Sequence, residues 1–114
     1  MSILIYHNPK WGKSRNSVRI LKEKKIDYKI IEYLKNPLDI IELKQILKIL
    51  DLKAEDIIRK TEQDYKDNDI GDIKDEEKIL EAILRYPKIL QRPIILNGKK
   101  GVIGRPPENI LSII

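Results

Sequence analysis

The chain contains no cysteine. That excludes disulfides, cysteine-ligated zinc or iron–sulfur sites, and any chemistry that begins at a thiolate. A single histidine, His7, leaves too little imidazole for an ordinary His-rich metal site, so no metal and no other cofactor is expected. Phenylalanine is missing and Trp11 is the only tryptophan, so the core must be aliphatic. No stretch approaches the roughly 20 consecutive apolar residues of a membrane-spanning helix. Residues 1–6 show neither a basic leader nor a cleavage site. The expectation is a cytoplasmic protein with no membrane partner.

What the chain does have is a periodic aliphatic pattern set in a strongly charged background. Its 114 residues are 41% hydrophobic and 36% charged. That length suits one domain, residues 1–114, and the periodicity of the apolar positions argues for a solvated globular surface rather than disorder. The net charge of +5, from 23 Lys and Arg against 18 Asp and Glu, favours anionic partners through its long-range field. The arginines are dispersed, and no basic stripe interleaved with aromatics appears. Direct nucleic-acid binding is therefore not expected.

Residues 2–6 (SILIY) predict a buried strand that ends at the turn His7-Asn8-Pro9. Ser14 predicts the N-cap of a helix running to about Lys24, with Val18, Ile20 and Leu21 at helical spacing. Tyr28–Tyr33 is a second strand. A strand–helix–strand of this length implies a parallel, right-handed βαβ unit. Asp39–Leu50 carries Ile40, Leu43, Ile46, Leu47 and Leu50 on one helical face. Lys53–Arg59 predicts a short helix, Thr61–Asp72 a polar loop, and Asp75–Arg85 a helix stopped by Pro87. Residues 93–96 and 99–103 flank Asn97-Gly98, the signature of a type I′ hairpin turn. Pro106-Pro107-Glu108 then opens a closing helix, Asn109–Ile114. The order predicts an α/β protein with a four-stranded mixed sheet, a βαβ unit plus a ββα unit, and a helical insertion between them. That is a thioredoxin-like architecture.

Four segments make the reading more specific. They are Tyr6-His7-Asn8-Pro9 with Ser14-Arg15-Asn16; Ile57-Ile58-Arg59-Lys60 followed by acidic residues and Tyr65; Tyr86 to Ile94 (YPKILQRPI); and Gly104-Arg105-Pro106-Pro107-Glu108. In this order and spacing they resemble the glutaredoxin-coupled arsenate reductases of the ArsC family, and the resemblance covers essentially the whole chain. It implies a thioredoxin fold and an anion-binding cluster of Arg59, Arg92 and Arg105. Arsenate, phosphate and sulfate are compact tetrahedral anions, and guanidinium groups bind such ions bidentately. Gathered arginines repel one another unless an anion neutralises them. The loop before Ser14 would add backbone N–H groups and the positive end of a helix dipole. Arg15, in the first helical turn, opposes that dipole unless an anion is close. Pro93 takes the position of the cis-proline that begins the third strand of thioredoxin folds and would place Arg92 at the pocket.

The resemblance also locates the missing sulfur, because the nucleophilic cysteine of the family falls at Trp11. Indole cannot attack arsenate or form a mixed disulfide, and Ser14 has no accessible redox couple or evident base. His7, which in the family tunes the cysteine, has no thiol to act on, and no residue is assigned as catalytic. The implied function is oxyanion binding without reduction. The alternative is an interaction or regulatory protein, similar to the Spx-type proteins that bind RNA polymerase, with Trp11 as an apolar anchor. Those regulators usually carry a CxxC loop, which is absent here. A small oxyanion and a protein are thus the two partner classes, and a monomer is expected.

Overall fold

The computed structural model describes residues 3–7 and 12–114, with Lys13 and Ser14 described by their backbone alone. The expectations placed on Ser2, Asn8 and Trp11 lie outside the described residues. The chain divides into two compact units, one comprising Met1–Asn36 with Arg92–Ile114 and the other Pro37–Gln91.

The first unit holds strands β1 (Ile3–Tyr6), β2 (Tyr28–Ile31), β3 (Ile94–Asn97) and β4 (Lys100–Ile103), and helix α1 (Gly12–Glu23). The strands form one mixed sheet in the order β2-β1-β3-β4. β1 runs parallel to β2 and antiparallel to β3, and β3 pairs antiparallel with β4. Register follows side-chain alternation. Ile5 stands opposite Ile30 and Ile95, and Ile95 opposite Val102. Ile3, Ile5 and Ile95 form a buried cluster with Leu21 of α1 and with Ile110 and Ile113 of the C-terminal segment. These six side chains are aliphatic, but the core is not the wholly aliphatic one that the sequence suggested: Tyr6 and Tyr33 are buried and Tyr28 packs against the cluster, so tyrosine supplies the aromatic bulk that phenylalanine does not. α1 ends in paired backbone bonds, Ile26 N–H to Leu21 O and Lys25 N–H to Lys22 O, with Lys25 at φ 55°. This left-handed cap turns the chain directly into β2.

The second unit holds α2 (Ile40–Leu50), α3 (Gln63–Asp67) and α4 (Glu76–Arg85). α4 packs on α2 and on short 3₁₀ turns at Ala54–Ile57 and Pro87–Ile89. Leu43, Ile46, Leu47, Ile79, Leu80 and Ile83 are buried. Two aspartates start the long helices: Asp39 Oδ1 accepts from Glu42 N–H at 2.8 Å, and Asp75 Oδ1 from Glu77 N–H at 3.0 Å.

Several expected boundaries shift. α1 begins at Gly12, so Ser14 occupies the first turn rather than the cap. Gly12 is a poor helix former but is sterically free to take helical dihedrals, and a serine is only a weak local signal. β2 stops at Ile31, short of Tyr33. The short helix expected over Lys53–Arg59 contracts to Ala54–Ile57, because Ile58 turns extended to bridge Leu90. The loop expected over Thr61–Asp72 is partly helical. Gln63 Nε2 donates to Asp67 Oδ1 at 2.7 Å, Asn68 Nδ2 donates to Asp64 O at 2.7 Å, and buried Ile70 anchors a further 3₁₀ turn over Ile70–Asp72. The closing helix is a 3₁₀ segment, Pro107–Ser112, begun by its proline. In the hairpin, Asn97 pairs with Lys100, so Gly98-Lys99 form the turn. Gly98 alone has positive φ, at 63°. A glycine in the first central position suits a type II′ turn rather than the expected type I′. Asn97 spends its side chain elsewhere, donating to Ile113 O.

Candidate functional site

The first unit brings together three of the sequence motifs. Gly104 N–H donates to Pro93 O at 2.8 Å, which lays the Gly104-Arg105 segment against Arg92-Pro93 at the start of β3. α1 closes on the same point: a Cβ added at Gly104 would lie 2.8 Å from Ser17 Oγ, 2.9 Å from Ile95 Cδ1 and 2.9 Å from Pro93 Cγ. Only a glycine permits so close an approach of backbone to side chains. The Arg92–Pro93 and Arg105–Pro106 peptide bonds are both cis. Arg92 is buried and Arg105 half-buried.

At the N-terminal end of α1, the first turn carries no acidic residue. Arg15 folds its guanidinium back over that turn, since a Cβ on Gly12 would sit 3.7 Å from Arg15 Nη2. A cation at the positive end of a helix dipole is unfavourable on its own. The geometry therefore concentrates positive potential where α1 begins.

His7 extends the β1–β2 ladder, its N–H donating to Ile31 O at 2.9 Å. Its ring is only 6% exposed, and Nδ1 is buried with no hydrogen-bond partner among the described residues. Burial pushes the imidazole below its ordinary value of 6.5, and Glu32 pulls it partly back up. Because the folded ring resists a proton that the unfolded chain accepts near 6.5, this contribution to stability is present above that pH. It is lost as pH falls through the lower folded value. Thermal unfolding between pH 7.5 and pH 5.5 should show a stability loss in the wild type that His7→Gln partly removes. Parallel profiles would refute the assignment.

Arg59 belongs to the second unit. Its N–H donates to Ile89 O at 2.6 Å, and Gln91 N–H donates to Ile57 O at 2.7 Å, tying the second and third motifs together there. Its guanidinium lies 3.3 Å from Glu62 Oε1, so a carboxylate already faces the group that the resemblance assigns to an anion.

An open cleft of about 360 Å³ in the first unit is lined by His7, Arg15, Val18, Arg19 and Lys22. The sequence pattern singled out His7 and Arg15 but not Arg19 or Lys22. Their spacing from Arg15 was the available signal. Among the described residues no cluster of histidine, aspartate and glutamate side chains could hold a metal ion, and no helix is long and apolar enough to cross a membrane.

Residues 6–113 match the ArsC family. The chain is 37% identical to the arsenate reductase of Neisseria meningitidis serogroup A over 114 residues, covering 98% of this chain and 97% of that protein. It is 38% identical to the uncharacterized protein YfgD of Escherichia coli K12, covering 98% of this chain and 96% of YfgD. Its fold superposes on the solved arsenate reductase of Vibrio cholerae with a TM-score of 0.96 at 34% identity, over 100% of this chain and 98% of that one.

Proposed function

The chain belongs to the ArsC family, with the four-stranded thioredoxin-like sheet of the solved arsenate reductases, and on that premise we propose that it binds a tetrahedral oxyanion without reducing it. Phosphate, sulfate and arsenate share the shape and charge that guanidinium forks recognise. The relatives named arsenate reductases make arsenate the natural member of this class to test. The reading assigns the anion to Arg92 and Arg105, with Arg15 at the start of α1. The supporting observation is the Gly104–Pro93 backbone bond, which joins the segments carrying Arg92 and Arg105. With no cysteine anywhere in the sequence, nothing can form the thiolate adduct that starts reduction.

The sole tryptophan, Trp11, immediately precedes α1 and supplies the readout. Titration of phosphate, sulfate and arsenate should change its fluorescence saturably, and Arg92→Ala should abolish the change. Because Arg92 is buried, Arg105→Ala, at a half-buried position, is the second variant; it should weaken binding about tenfold while circular dichroism stays unchanged. Silence toward all three anions defeats the reading. If a protein partner is then captured, and Trp11→Ala releases it, the loop serves as an interaction surface instead.

A further inference from the structure

From the cleft along α1, we infer a second anion site, built by Arg15, Arg19 and Lys22 beside His7, that takes a short chain of linked phosphates. It does not rest on the oxyanion site proposed above. Arg15 is common to both, so Arg19 and Lys22 are the residues that distinguish them.

The three cations stand at i, i+4 and i+7 of one helix. At about 100° per residue they fall within roughly 60° of arc, and at 1.5 Å per residue they span about 10 Å along the axis. They therefore form a single row rather than a scatter. Among the described residues the cleft is lined by no carboxylate; Val18 is its one aliphatic wall and His7 the remaining residue. Arg19 Nη2 donates to Asn16 Oδ1 at 2.8 Å, which holds that guanidinium by a neutral partner and leaves its charge uncompensated by this contact.

The chemistry of the row selects its ligand. A row of cations carried along two helical turns matches a charged chain better than a single tetrahedral anion. An elongated anion with charge at each link meets them all, and guanidinium groups bind phosphate oxygens in pairs. The cleft volume, about 360 Å³, falls in the range of small-molecule sites. A nucleic-acid strand fits less well, since no aromatic side chain lines the cleft for a base to stack on.

Isothermal titration of the full chain with inorganic tripolyphosphate, ATP and orthophosphate tests this. Tripolyphosphate should bind at least about tenfold more tightly than orthophosphate. Arg19→Ala and Lys22→Ala should each weaken it about tenfold, the effect of one lost charge-assisted contact, while leaving orthophosphate binding as in the wild type. Both positions are exposed, so both variants should fold. ATP binding as tightly as tripolyphosphate assigns the site to the phosphate chain alone. Tighter ATP binding assigns it to a nucleotide carrying that chain. Equal affinity for tripolyphosphate and orthophosphate, or indifference to both substitutions, overturns the proposal. So does binding of a single-stranded RNA oligomer without binding of tripolyphosphate. Arg92→Ala separates the two sites, because it should remove the orthophosphate response and spare the tripolyphosphate one.

Discussion

Supplied with arsenate, glutathione and a glutaredoxin, the wild-type protein should yield arsenite no faster than a control without protein, and Trp11→Cys should raise the yield clearly above that control. The first half follows from composition. Covalent catalysis at sulfur splits one difficult step into two easier ones, and losing the nucleophile of such a reaction costs on the order of a millionfold in rate. No other side chain here compensates. Ser14 has no accessible redox couple. The second half follows from position. Residue 11 immediately precedes Gly12, where α1 begins, and a thiol at a helix N-terminus is more acidic than a free one. The lack of acidic residues in that first turn, with Arg15 folded over it, lowers thiol basicity further. If wild-type protein turns over arsenate, the reading of a missing nucleophile fails outright. If Trp11→Cys stays silent although it binds arsenate, the substitution at residue 11 is not the only lesion, and Arg59 held by Glu62 becomes the next suspect.

The parts of this fold that sequence exposed are those set by local rules. α2 was legible from Leu43, Ile46 and Leu47 at three- and four-residue spacing, and Asp39 caps it as its residue type suggests. The βαβ unit was legible because a crossover of this length forces parallel pairing. The misses are cases where a distant partner decides. Five residues, Gln63–Asp67, are too few to show a helical period, and that helix is fastened by Gln63–Asp67 and Asn68–Asp64 side-chain bonds rather than by an apolar face. The hairpin turn moved by one residue because Asn97 is held in the ladder by Lys100. At the site, motif order supplied Arg92, Pro93 and Arg105, and the Gly104–Pro93 bond then explains why two motifs so far apart in the chain belong together. Arg19 and Lys22 escaped notice because only the packing of α1 beside His7 turns surface cations into a cleft wall.

The Gly104–Pro93 junction carries a large stability effect in the first unit. Gly104→Ala should destabilise the protein by about 2–3 kcal/mol, and Gly104→Val by more. Gly104 does not have a positive φ, so the cost comes from contact rather than dihedral strain. A methyl group there would stand 2.8–2.9 Å from Ser17 Oγ, Ile95 Cδ1 and Pro93 Cγ. Ser17 and Ile95 are fully buried, and the pyrrolidine ring of Pro93 is rigid, so none can retreat into solvent. The helix, the β3 entry and the β4 exit would have to separate, which also stretches the Gly104 N–H bond to Pro93 O. For a chain of this size, 2–3 kcal/mol lowers Tm by about 10 °C. Gly71→Ala is the control. Its added methyl meets Tyr65 Oη at 2.7 Å, but Gly71 is exposed and the tyrosine tip can swing aside, so the cost should stay within about 1 kcal/mol. Equal melting temperatures for the two variants would show that the junction is looser than these distances require. A large loss at Gly104 alone, accompanied by a weakened fluorescence response to phosphate, would tie the packing of that glycine to the anion site proposed at Arg92 and Arg105.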